Sequence, residues 1–171
     1  MAKNSKFKHN NKAQSRLASI ETTASLDAKT DKITERCKFN FHYFHHQEGI
    51  SQNFEEWDKN ELTKLLNKLN NYSEKSLDAW SKTPIGGKSF NVLEIYDYFP
   101  DKTDFSEPKH IPVEVKWARF RLEQKVRLIG FVIPKSYEGE LHFETNSLFD
   151  TNTFYIVYLD RDHLFWKTED E

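Results

Sequence analysis

The runs VEVKWARFRL (residues 113–122), KVRLIGFVIP (125–134) and FYIVYLD (154–160) decide the fold of this chain. Each is rich in β-branched and aromatic residues, and each has strand length. Glu123 and Gln124 separate the first two runs, which predicts a tight antiparallel hairpin. The two-residue period of a strand puts Arg119 and Arg121 on one face with Trp117, and Ala118, Phe120 and Leu122 on the core face. If the hairpin turns at Glu123-Gln124, Arg127 lies opposite that arginine pair. Lys116 and Lys125 complete the cationic set, and the third run ends in Asp160-Arg161-Asp162-His163 followed by Leu164-Phe165-Trp166-Lys167. Cations threaded through an aromatic-rich antiparallel sheet are what an RNA- or phosphate-binding face needs. The plainer reading is a solvated sheet face with cross-strand Arg–Glu pairs, which contribute little each.

Upstream, Phe39, Phe41 and Tyr43 alternate with Asn40 and His42, the pattern of a half-buried strand. Asn53, with Glu56 three residues later, reads as a helix cap. The helix is expected over 54–70, with Phe54, Trp57, Leu62, Leu65, Leu66 and Leu69 on its buried face. A second, shorter helix is expected from Ser73 through Leu77 and Trp80, stopped by Pro84 and Gly86-Gly87. The short link predicts an antiparallel helical hairpin. A strand follows over 90–96, then an acidic, proline-punctuated loop at 97–112, expected to be mobile. A further short strand is expected at 140–143. Helices grouped together and strands grouped together give an α+β domain over 37–171. Residues 1–36 are polar, with Lys3, Lys6, Lys8, Lys12 and Arg16 and no acid before position 17. They read as an arm that is flexible or ordered by a partner.

Composition narrows the function classes. Only 5 glycines argues against a dinucleotide-binding fold, which needs glycine-rich turns. A net charge of -2 argues against general polyanion coating, yet 109–135 carries seven Lys or Arg against Glu114 and Glu123. A basic face on a nearly neutral protein can bind nucleic acid locally. The single cysteine, Cys37, gives no disulfide within the chain and points to a reducing compartment. No apolar run is long enough for a signal peptide or a membrane span, so the expected location is cytoplasmic with no membrane partner.

Metal-free RNA cleavage needs a base for the 2′-hydroxyl, cations for the developing charge and an acid for the leaving oxygen. Arg119, Arg121 and Arg127 can supply the charge, and His163 the proton transfer. Lys116, Trp117, Lys125 and Tyr158 are the candidate substrate-binding residues around them. Asp160, Asp162 and His163 suit a divalent metal chemically, but a polar turn after the last strand accounts for them, and no second ligand pair occurs at motif spacing. His42, His45 and His46 read as an edge cluster, with His42 and His46 sharing a face if the strand continues. Gly86-Gly87-Lys88-Ser89 lacks the full phosphate-loop spacing. No G-x-S-x-G elbow occurs, and Cys37 reads as a buried thiol even with Lys38 beside it. No cofactor is expected.

The order strand, helical hairpin, antiparallel strands, with arginines before a final hydrophobic strand, resembles the RelE/ParE superfamily of small bacterial toxins over roughly 38–167. The ending FYIVYLDRDH is also similar to uncharacterised bacterial and phage-borne proteins ending FYIV-x-LD-x-x-H. The chain is longer than typical toxins of that family, by the arm and the 97–112 insertion. The resemblance implies a helical hairpin against a curved sheet, and a toxin or defence effector acting on RNA or the ribosome beside an antitoxin or other protein partner. Members that cut messenger RNA use Lys, Arg, Tyr or His, and Arg119, Arg121, Arg127, Tyr158 and His163 sit where such roles fall. ParE-like members act on gyrase without that catalysis, so a topoisomerase-directed toxin and a non-enzymatic interaction subunit stay open.

Overall fold

The computed structural model describes residues 32–86 and 90–167. The chain divides into two units, 1–34 and 35–171. The expected arm lies outside the described residues up to position 31, as do Gly87, Lys88 and Ser89. The second unit is α+β. Its elements run β1 (Lys38–Asn40), α1 (Lys59–Tyr72), α2 (Leu77–Ser81), β2 (Leu93–Ile95), β3 (Lys116–Arg121), β4 (Arg127–Val132) and β5 (Thr153–Asp160). They build a five-stranded sheet in the order β1-β5-β4-β3-β2.

The β3–β4 hairpin forms as expected. The Leu122 N–H donates to the Val126 carbonyl and the Val126 N–H to the Glu123 carbonyl around the turn, and Gln124 takes φ 44° at its tip. The register sets Arg121 opposite Arg127, Arg119 opposite Ile129 and Trp117 opposite Phe131. β4 then pairs antiparallel with β5, interrupted by a bulge between Ile129 and Gly130. Gly130 sits there for want of space, because a Cβ would fall 2.1 Å from the Tyr155 carbonyl oxygen and 2.8 Å from the Phe154 ring. The one departure from antiparallel order is β1, which pairs parallel to β5 from Lys38↔Thr153 to Asn40↔Tyr155. β1 stops at Asn40, so the alternation through Tyr43 does not continue as a strand. The expected strand at 140–143 is reduced to a bridge between Leu141 and Leu148.

The first helix starts later than the sequence predicts. Asn53 does accept from the backbone N–H groups of Glu55 and Glu56, at 2.8 and 3.0 Å, but this closes only a turn. The cap is Asp58, which accepts from the Glu61 N–H while Glu61 returns a bond to the Asp58 N–H. Leu65, Leu69 and Tyr72 are buried from α1, and Leu66 is 63% exposed. Ser76, not Ser73, caps α2. Together the helices cover one face of the sheet, packing with Leu93, Ala118, Phe120, Leu128, Phe154, Ile156 and Leu159. The Tyr72 ring stacks on Phe120 with centroids 4.7 Å apart, and its hydroxyl donates to the Arg121 carbonyl. The Tyr72 carbonyl, left over at the end of α1, accepts from Trp80 Nε1 at 2.6 Å and from Cys37 Sγ at 3.1 Å.

Among the described residues no helix lies on the opposite face. The loop 97–112, expected to be mobile, packs on it. Phe105 and Ile111 are buried under 10% exposed, against Trp117, Ile129, Phe131, Val157, Tyr158 and Phe165. Gln47 ties the loop down through the Asp104 carbonyl and the Ser106 N–H, and the chain after β5 joins it through Asp104 N–H to Leu164 carbonyl. No helix among the described residues is long and apolar enough to cross a membrane.

Candidate functional site

The covering loop stops short of the β3–β4 turn, and the side chains that β3 and β4 present there are Arg119, Arg121 and Arg127. All three share the face of Trp117 because they alternate with Ala118, Phe120 and Leu128, which point to the helices. Arg119 and Arg127 are each 6% exposed, and Arg121 is half-buried. Asp160, opposite Arg127 at the end of β5, is fully buried. Its carboxylate accepts from the backbone N–H groups of Asp162, Leu164 and Phe165, at 3.2, 3.0 and 3.0 Å. These bonds fold the chain back after β5, with His163 at φ 66°, and bring His163 Nε2 to 3.1 Å from Arg119 Nη1. A guanidinium has no acceptor, so Nε2 receives this bond and carries no proton in this geometry.

The charges in this patch are not directly paired. Arg121 lies over Phe90, 4.7 Å from the ring centroid, and its guanidinium makes no hydrogen bond among the described residues. Arg119 lies 5.7 Å from the Tyr96 centroid, and Tyr96 in turn stacks on Trp166 at 4.4 Å. Arg127 spends Nη1 on the Gln124 and Val126 carbonyls, at 2.6 and 2.9 Å. None of the three forms an ion pair among the described residues. The nearby carboxylates are already engaged: Asp160 by backbone, Glu94 by the Asn91 N–H at 2.6 Å, Glu123 by Lys64 at 3.5 Å. The Nε atoms of Arg119, Arg121 and Arg127 and the Tyr96 hydroxyl are buried without a hydrogen-bond partner among the described residues. Burial, then repulsion from Arg121 and Arg119, pushes Arg127 down to about 10. Burial also lowers Arg119, and it raises Asp160 against the pull of the backbone N–H groups. A cleft of about 120 Å³ opens beside Arg121 and Arg127, with Ile85, Leu122, Glu123 and Gln124 as its other walls.

Of the eight residues expected from sequence, Arg119, Arg121 and Arg127 gather in this patch, with His163 bonded to Arg119. Lys125 stands exposed in the adjoining turn. Lys116 lies at the other end of β3 and pairs with Asp97 at 2.7 Å. Trp117 and Tyr158, expected from sequence to bind substrate, are buried under the loop. Both are under 3% exposed, with the indole N–H donating to Glu107 and the phenol to the Ser106 carbonyl. Alternation assigned the face of Trp117 correctly but could not show that a loop covers it there. Sequence reasoning missed Phe90, Tyr96 and Trp166, the rings that frame the arginines. The remaining candidates fall to local structure. His46 pairs with Glu56 at 3.3 Å while His45 packs on Tyr158, so the histidines diverge. No group of three or more metal-ligating side chains occurs among the described residues. Burial pushes the Cys37 thiol up to about 11, against the small opposing effect of Lys38. No protein-family description, curated protein or solved structure matches the chain.

Proposed function

We propose that the protein acts on RNA by metal-independent phosphodiester cleavage, as a toxin or defence effector of the RelE-like kind. One observation carries this reading: three buried or half-buried arginines converge with no ion pair among the described residues. Buried charges are ordinarily paired, and leaving them unpaired costs stability. A phosphodiester anion supplies the missing charge and accepts the guanidinium forks bidentately. The element order strand, two helices, four strands supports the family likeness.

In the reaction so proposed, the phosphate draws Arg119 away from His163. Nε2 is then free to take the proton of the 2′-hydroxyl. O2′ bonds to phosphorus, the P–O5′ bond breaks, and the leaving oxygen is protonated from solvent while the imidazolium returns its proton to water. The products are a 2′,3′-cyclic phosphate and a 5′-hydroxyl. The arginines hold the charge of the pentacovalent phosphate. The test is cleavage of labelled RNA, free and ribosome-bound, together with growth after induced expression. His163→Ala is expected to lower the rate by about two to four orders of magnitude, and a chelator to leave it unchanged. Absence of cleavage by the unaltered protein on both substrates overturns the reading. A second reading, a non-enzymatic subunit gripping an anionic partner, is favoured by the depth of Arg119 and Arg127. It predicts binding without turnover.

A further inference from the structure

We propose that the site takes an unstacked nucleotide of single-stranded RNA, its phosphate on Arg121 and Arg127 and its base on the open face of Phe90. This rests on the phosphodiester reading and specifies the form of RNA that the site accepts. Three aromatic rings frame the arginines, and they are not equivalent. Tyr96 and Trp166 lie 4.4 Å apart and within 12° of parallel, so each covers the other; both are half-buried. The facing sides of that pair are taken, and Tyr96 also packs against Arg119. Phe90 is 53% exposed. Arg121 occupies one of its faces at 4.7 Å, and no other ring contact is made to it among the described residues. Phe90 thus stands more than half exposed beside a guanidinium that makes no hydrogen bond among the described residues.

A nucleotide is the ligand that matches both halves. Its base has a flat π-face for the phenyl ring, and its phosphate has oxygens for Arg121 and for Arg127 across the hairpin. The cleft of about 120 Å³ between those two arginines is where the phosphate would sit, with Glu123 on its wall already held by Lys64. A base paired in a duplex keeps its faces against its neighbours, so the arrangement selects single strands and splayed loops. Phenylalanine carries no hydrogen-bonding group, so the platform accepts any of the four bases. An acidic peptide satisfies the arginines but leaves the ring unused.

The test is equilibrium binding of a fluorescent 2′-O-methyl RNA hexamer, which cannot be cleaved through O2′. It is compared with an abasic hexamer of equal charge, and inorganic phosphate serves as competitor. Phe90→Ala is expected to weaken the base-bearing hexamer by about 5- to 150-fold, the range that one stacked base supplies. Abasic binding and phosphate competition should change far less, because the arginines remain, and the thermal midpoint should shift little, because Phe90 is 53% exposed. Phe90→Trp should retain binding, and Arg121→Ala should weaken every ligand. Equal binding of the two hexamers, or indifference to Phe90→Ala, overturns the base platform and leaves the anion site standing. An acidic peptide that depends on Phe90 as strongly as the hexamer does also overturns it, in favour of a protein partner. Failure of hexamer, abasic hexamer and phosphate to bind at all removes the phosphodiester reading itself.

Discussion

The two faces of the sheet are made by neighbouring residues of the same strands, and they are finished in opposite ways. On the helical face Phe120 and Leu128 are sealed under Tyr72 and Leu65, and the stray backbone groups there find partners in Trp80, Cys37 and Tyr72. On the other face, one residue along each strand, Arg119 and Arg127 are as buried as many core residues but make no direct ion pair among the described residues, with Asp160 and Glu94 acting on them only at longer range. The first face lowers the free energy of folding. So does the apolar cluster under the loop on the second, but the arginines at its end raise it, as unpaired buried charges do, and a bound anion would offset that cost. Depth of burial is therefore a poor guide to purpose in this protein, and charge balance is the better one.

The comparison breaks most visibly at Phe120. Phe120→Ala removes a fully buried ring in contact with Tyr72, Phe39 and Phe154. It is expected to cost about 3–5 kcal/mol, read by denaturant or thermal unfolding. A loss below about 1 kcal/mol would mean that the helices do not close this face. Next in size is the response to anions. Inorganic phosphate at a hundred times its dissociation constant should stabilise the folded state by about 2.7 kcal/mol, and Arg121→Ala should reduce that response. An equal rise in the variant would place the phosphate elsewhere.

Replacing a charge should run the other way. Arg119→Met keeps the length of the side chain and removes an unpaired buried cation. Its cost is the bond to His163 and the contact with the Tyr96 ring. Calorimetry without added anion should show the variant more stable, by on the order of 1 kcal/mol, and the phosphate response weakened. A clear destabilisation would show that Arg119 belongs to the scaffold, and the contrast between the faces would fail at its centre.

The strands that carry the arginines were legible because alternation survives wherever a strand has two chemically different sides. Arg119 and Arg121 could be set against Ala118 and Phe120 without coordinates. Trp117 and Tyr158 show where that reasoning stops. They share the arginines' face, yet a loop lies over them and not over the arginines, and loop placement depends on contacts distant in sequence, such as Gln47 to Ser106. The parallel pairing of β1 with β5 is equally non-local. The first helix was misjudged for a local reason. Asn53 to Glu56 and Asp58 to Glu61 carry the same cap signal, both side chains bond the backbone, and only the second is followed by a helix. The rings framing the site were missed because Phe90, Tyr96 and Trp166 come from two segments far apart in the chain, and nothing in either segment marks the arginines as their neighbours.

The smallest effect belongs to Leu66, which helical spacing places in the core beside Leu65 and Leu69. The later start of α1, capped at Asp58, goes with a face that buries Leu65, Leu69 and Tyr72 and leaves Leu66 63% exposed. A leucine in that position gives up little apolar area, and glutamine has nearly the same helix propensity. Leu66→Gln should therefore change the unfolding free energy by less than about 0.5 kcal/mol, as surface substitutions do. Leu65→Ala, one residue away and 3% exposed, should cost about 2–5 kcal/mol. The pair is read best together, in one set of urea curves, since neighbouring positions share the same helix and differ only in the direction they face. If Leu66→Gln proves as costly as Leu65→Ala, something covers that side of α1, and the helical face is wider than the sheet it packs on.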